Sequence, residues 1–454
     1  MSRKTIEQEL TDETCEASHL IYFKKSLGSE GLYGDPILLS LGLNRWLQSF
    51  SFEAVIRFME QLFARRKAPG ERPTPPKLQD ATLVITHAEL SYRHGTGALL
   101  IRILQEERNV IVFHSQKFFG GHDIAFPTFQ ITHRRSSSAT SRRRIQKILS
   151  GSKVAQILCV PFYPDEAISA LAAHDLTNAP LVLYIMDDQN IHAQGISDRL
   201  MEKLVQRSAI RFAISEPLRA AYEKKFDCNF FLLPPVIDPA LFASADRASS
   251  PNDPLLGVMI GNLWNADLVT RFTQTVRSSG LKIDWYGNAG KPFIALDQQE
   301  LARAGIHLKS LVPEEELVSE LRKADYAVVP SGMLDEADTH NWLAKTSLPS
   351  RIIYLTTTAN LPILVLGHPD TAAARFVTEL EIGTVCSYDQ NEFVTSVHAI
   401  TDPIISAEIR KNASALSPTF SSEGLWQWIW ASAARHEPVD GRFENLTEGH
   451  KDGF

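Results

Sequence analysis

The segment Met186-Asp187-Asp188-Gln189-Asn190-Ile191-His192 closes the apolar run LVLYI with two carboxylates and an imidazole. Such groups take the proton of a hydroxyl nucleophile when they reach hydrogen-bond distance, so Asp187, Asp188 and His192 are the first candidates for a general base. Aspartate after a strand also serves as a turn or helix cap, and both roles stay open for each residue. A second set, His87, Glu89, Arg93 and His94, crowds the end of the run LVITH. Gly95 and Gly97 follow it, where a tight turn lets a ligand approach the backbone at the start of a helix. An ordinary strand-to-helix turn is the competing reading, and the segment lacks the GxGxxG dinucleotide signature. His114 and the turn Phe118–Asp123 form a third set, in which a structural histidine is the alternative. In the second half Gly261 ends the run LLGVMIG. The helix amides after it make an anion site, or Asn265 or Asp267 simply caps that helix. HExxH, GxSxG and Walker patterns are absent from the sequence, so metalloprotease, serine hydrolase and P-loop readings lack support.

The elements that must hold these residues are legible as short apolar runs followed by polar turns and helical segments. TLVITHA, NVIVFHS, VAQILCV, LVLYIMD, IRFAIS and FFLLPPV form one series; LLGVMIG, LKIDWYG, GIHLKSL, YAVVPSG, LPILVLG and GTVCSYD form another. Runs without alternation are what parallel strands covered on both faces look like, so two α/β domains in sequence are expected. Residues 1–75 read as a helical extension with amphipathic spacing, ending in the proline-rich RRKAPGERPTPPKLQ. The domains are then placed at 80–245 and 246–412, with residues 413–454 holding the aromatic helix SSEGLWQWIWASAARHE, whose face needs a partner surface.

With 44% hydrophobic and 22% charged residues in 454, the chain has a globular composition, and a net charge of −7 argues against a nucleic-acid coat. The cysteines are scattered and the N-terminus is too polar for a signal peptide, so a cytoplasmic protein is expected. The basic run containing Arg134, Arg135, Arg142, Arg143, Arg144 and Lys147 is read as solvated surface, with contact to an anionic acceptor or the anionic inner membrane face as the alternative.

The ordered segments VMIGN, IDWYGN, IHLKSLVPEEELVSELRKADYAVVPSG and SLPSRIIYLTTTANLPILVLG resemble the donor domain of GT-B glycosyltransferases, in particular the family 4-like group. The resemblance spans about Leu255 to Asp389, with a weaker echo at YIMDDQNIH and RSAIRFAISEPLRAAYEKKF. It implies a GT-B architecture of two Rossmann-like domains facing a cleft. A nucleotide-sugar donor lies on the second domain and a glycan, lipid-linked or other hydroxyl acceptor on the first, with no cofactor and no essential metal. By position, Leu311 and Val312 meet the base, and Pro330, Ser331 and Gly332 line the floor. Gly261, Asn262 and the helix starting near Pro349, with Ser347, Ser350 and Arg351, meet the diphosphate; Asp370 and Thr371 begin a further strand-end helix on the donor side. His87, Glu89, His94, Gly95 and Gly97 fall on the acceptor side. The family's two glutamates align with Ser347 and Leu355, and GNLWNAD carries no basic residue. Lys345, Lys291 and Arg351 are the candidates for the missing charge. The resemblance also admits a nucleotide-sugar epimerase or a non-catalytic binding protein.

Overall fold

The structure is a computed structural model that describes residues 77–118, 126–133, 138–244, 252, 254–263, 265–277, 279–287, 296–335, 341–444 and 446. The extension 1–75, Arg134, Arg135, Lys291, most of the turn after Phe118 and most of the stretch around the expected boundary at 245/246 lie outside them.

The first unit contains β1 (Ala81–Thr86), α1 (Gly95–Ile103), β2 (Val110–His114), β3 (Thr128–Gln130), α2 (Ser138–Leu149), β4 (Val154–Cys159), α3 (Pro164–Thr177), β5 (Leu181–Ile185), α4 (Asp198–Arg207), β6 (Ile210–Ala213), α5 (Glu216–Phe226) and β7 (Phe231–Leu232). These strands pair in parallel in the order 3-2-1-4-5-6-7. Every residue of β1, β2 and β5 is buried, which is why their sequences are continuous apolar runs. The three-residue β3, TFQ, gave no such signal.

The second unit repeats the plan with β8 (Leu256–Ile260), α6 (Ala266–Arg277), β9 (Lys282–Tyr286), α7 (Gln298–Arg303), β10 (Ile306–Lys309), α8 (Glu314–Leu321), β11 (Tyr326–Pro330), α9 (Asn341–Thr346), α10 (Ser350–Ala359), β12 (Ile363–Leu366), α11 (Ala372–Glu379), β13 (Gly383–Cys386), α12 (Gln390–Thr401) and α13 (Pro403–Leu416). Its parallel order is 10-9-8-11-12-13. In both sheets the winding reverses beside the first strand, between β1 and β4 and between β8 and β11. A crevice opens at the carboxyl ends of strands at such reversals, and loops from both sides must diverge there.

Helix α10 is buried along Ile352–Ala359 although it holds three consecutive threonines. Their hydroxyls donate to the carbonyls of Ile352, Ile353 and Tyr354 at 2.7–2.8 Å, so none of the three is left unpaired. Asn360 ends the helix in the left-handed region at φ 53°. The chain then crosses back: α14 (Leu425–Arg435) follows the second sheet yet buries Leu425, Trp426, Trp428 and Ile429 in the core of the first. Trp428 packs on Phe212 of β6 at 5.6 Å, and Trp426 Nε1 donates to Glu107 at 3.1 Å.

Candidate functional site

The carboxyl ends of the two sheets enclose a cleft of about 1690 Å³. On the second unit its floor is built where β8 ends at Gly261, whose φ of 83° lies in the left-handed region and favours glycine. Arg351, in the first turn of α10, lies against this turn: its guanidinium donates to Ile260 O at 3.1 Å, and a Cβ on Gly261 would stand 3.8 Å from it. No carboxylate pairs with Arg351 among the described residues. Desolvation pulls its pKa down to about 10, partly opposed by Tyr388. Helix α10 starts at Pro349 with no side-chain cap and no acidic residue in its first turn, and α1 starts at His94 in the same state. A Cβ on Gly95 would lie 3.8 Å from Ser350 Oγ, so the two uncapped N-termini meet at the wall of the cleft. The dipoles of the two helices favour an anion beside their N-termini.

On the first unit, Asp187 stands at the end of β5 and lines the cleft. Burial raises its pKa; the Ser347 hydroxyl, across the cleft, opposes the rise and Asp188 adds to it. His87 stacks on Phe162 with centroids 4.5 Å apart and meets His94 edge-on at 5.0 Å. Burial, with His94 as the lesser cause, lowers the His87 pKa to about 3, so the ring is neutral. Across the cleft mouth Arg102 of α1 pairs with Glu314 of α8 at 2.5 Å and lies 5.3 Å over the Tyr354 ring, tying the units together.

No family model matches the sequence, and no curated protein does. Solved structures do match its shape. HepE (Alr3699) of Anabaena, solved in complex with UDP-glucose, superimposes with a TM-score of 0.58 at 11% identity, covering 78% of this chain and 99% of that chain. Trehalose-6-phosphate synthase OtsA gives 0.53 at 9% identity over 79% of this chain and 100% of that chain. A UDP-N-acetylglucosamine 2-epimerase gives 0.50 at 12% over 80% and 99%. The fold is GT-B.

The GT-B cleft gathers most of the sequence candidates and leaves others aside. Gly261, Asn262, Leu311, Val312, Pro330, Ser331, Gly332, Ser347, Ser350 and Arg351 line it from the second unit; His87, His94, Gly95 and Asp187 line it from the first. Asp188 corrects the expectation of a general base. It is fully buried, and its carboxylate accepts from the amides of Asn190, Ile191 and His192 at 2.7–3.0 Å, so it shapes the loop beneath Asp187. His192 points to solvent outside the cleft lining. Thr371 caps α11 through Ala374 N and is fully buried, and Asp370 is exposed beside His368, so neither borders the cleft. Lys345 is exposed outside it as well. Glu89 is buried behind the wall and accepts from Phe118 N at 2.8 Å. Gly97 sits under the turn, where a Cβ would meet Ser91 backbone atoms at 2.7 Å. His114 is structural, its Nδ1 2.6 Å from Gln116 O. Arg142, Arg143 and Lys147 form an exposed face of α2, and Arg144 donates to Thr132 O and Gln130 O. Among the described residues no cluster of His, Cys, Asp or Glu is arranged to hold a metal, and no helix is long and apolar enough to cross a membrane.

Sequence reasoning missed the Arg102–Glu314 pair and the rings of Phe162 and Tyr163. The pair has no local signature. The rings had one: an aromatic dipeptide between a strand end and the helix-starting Pro164.

Proposed function

We propose that this chain is a glycosyltransferase that moves a sugar from a nucleotide-diphosphate sugar to a hydroxyl of an acceptor. The observation that carries the reading is Arg351, a desolvated guanidinium without a carboxylate partner among the described residues, at the uncapped start of α10 and opposite the uncapped start of α1. That arrangement suits the negative charge of a diphosphate. HepE, of the same fold, was solved with UDP-glucose, which supports the donor class.

The roles follow from the chemistry of transfer. The nucleotide base lies by Leu311 and Val312, and the diphosphate lies between Gly261 and the first turn of α10. The acceptor oxygen attacks the anomeric carbon as the bond to the diphosphate oxygen breaks. Asp187 takes the hydroxyl proton, and Arg351 with the helix amides stabilises the charge on the departing diphosphate. Preorganised donors of this kind replace the cation that other transferases place on the diphosphate, and the reaction proceeds without an essential metal.

The test is a melting-temperature screen of the whole chain against nucleotides and nucleotide sugars. A nucleotide-diphosphate sugar that binds the folded state raises the midpoint by mass action. Stabilisation by none of them refutes the reading. Because an epimerase shares this fold, the stabilising sugar is then incubated without acceptor. Appearance of its epimer assigns epimerisation in place of transfer.

A further inference from the structure

The acceptor half of the cleft is walled by rings delivered from neighbouring strand ends. His87 follows β1, Phe162 and Tyr163 follow β4, and Asp187 follows β5; these three strands are adjacent in the sheet. Adjacent strands lie ~4.8 Å apart, so the groups are spaced by a ring's width. His87 stacks on Phe162, and Tyr163 stands edge-on to Phe162 at 5.0 Å. His94 lies parallel to Phe118 at an interplanar angle of 5° and a centroid distance of 6.1 Å. All five rings line the cavity.

This wall is uncharged. His87 is 5% exposed and kept neutral by burial, its Nδ1 has no hydrogen-bond partner, and burial lowers the His94 pKa against the pull of Glu89. Among the described residues, the arginines lining the cleft are Arg93, Arg102, Arg271 and Arg351. Arg102 is paired with Glu314, Arg271 with Asp267 and Asp335, and Arg351 belongs to the donor floor. Arg93 stands exposed at the rim. A phosphorylated acceptor seated on the rings would hold its charge over apolar faces, which is unfavourable without a paired cation. A flat, uncharged face stacks there instead, and rings offset or edge-on to one another provide for it.

We propose that the acceptor is an uncharged hydroxyl compound with a flat apolar face, either the C–H face of a sugar ring or an aryl ring, stacked on the wall of Phe162 and Phe118, with His87 backing Phe162. The proposal rests on the glycosyl-transfer reading, and it adds the acceptor's chemistry. The stacked ring presents its hydroxyl to Asp187, one strand away.

Binding of defined probes to the full chain is measured by calorimetry without donor, so that this test is separate from the donor screen. The probes are 4-nitrophenyl β-glucoside, methyl β-glucoside, 4-methylumbelliferone and glucose 6-phosphate. Binding of 4-nitrophenyl β-glucoside, weakened about 10-fold or more by Phe162→Ala and largely restored by Phe162→Tyr, supports the proposal. The methyl glucoside and umbelliferone arms assign the face to sugar or aryl. Phe162→Leu, checked for an unchanged melting curve and an unchanged donor-induced shift, guards against misfolding. Tighter binding of glucose 6-phosphate than of the neutral probes, or an affinity unchanged by both Phe162→Ala and Phe162→Leu, overturns the proposal. A donor that binds normally while the neutral probes do not overturns it and leaves the transfer reading standing.

Discussion

At the carboxyl end of β5, Asp187 faces the cleft with its acidity weakened by burial, while the next carboxylate, Asp188, accepts bonds from three backbone amides. Only the ionised form of Asp187 can take a proton, and its pKa is raised. The acid limb of kcat/KM therefore lies at higher pH than an ordinary aspartate would set, rates rise with pH through it, and Asp187→Asn abolishes it. That variant is expected to lower kcat by ~10²–10⁴-fold with donor affinity retained. Asp188→Ala strips the acceptors from three buried or part-buried loop amides and is expected to cost ~1–3 kcal/mol of stability, read from denaturant midpoints. Arg351→Met removes a desolvated guanidinium whose protein contacts are carbonyl oxygens. Folding stability should hardly fall, while nucleotide-diphosphate affinity should drop by ~1.5–3 kcal/mol in calorimetry.

Helix starts are the elements that bring this chemistry together. Glu166 closes the start of α3 by accepting from Phe162 N and Tyr163 N, and so holds the loop that carries the aromatic wall. Burial raises its pKa from 4.5 to about 7. Between those values the folded state binds more protons than the unfolded state, so this group makes stability fall as pH rises through the window. Glu166→Gln is expected to flatten that slope in melts taken across the same range. At α1, Gly97 allows the helix to pack on Ser91 with backbone contact. Gly97→Ala forces that turn apart and is expected to destabilise by ~1–3 kcal/mol, with α1 displaced from the cleft.

Across the whole molecule, two sheets of one topology meet through side chains far apart in sequence. Arg102 and Glu314 are separated by 212 residues and pair with side chains 12% and 28% exposed. A double-mutant cycle should give a coupling on the order of 0.5–2 kcal/mol, discounted from a fully buried pair by the remaining solvent contact. Small-angle scattering of Arg102→Ala should show a larger radius of gyration than the parent chain if the pair holds the cleft shut. Helix α14 acts at the same scale, since its tryptophans complete the core of a sheet formed by residues hundreds of positions earlier.

The apolar runs by themselves located twelve of the strands, and for those buried on both faces, such as β1, β2, β5, β11 and β12, an apolar sequence is required wherever the strand is placed. The left-handed helix exit at Asn360 and the hydroxyl cap at Thr371 are equally local features, since both depend on the residue and its near neighbours. The pattern MDDQNIH located the strand end yet held no preference between Asp187 and Asp188. Which carboxylate turns to the cleft is decided by the loop amides that claim Asp188. The ring wall and the Arg102–Glu314 pair were likewise decided only in three dimensions. They join groups from separate strand ends and separate domains, and contacts of that kind are set by chain crossing and packing, to which local periodicity is blind.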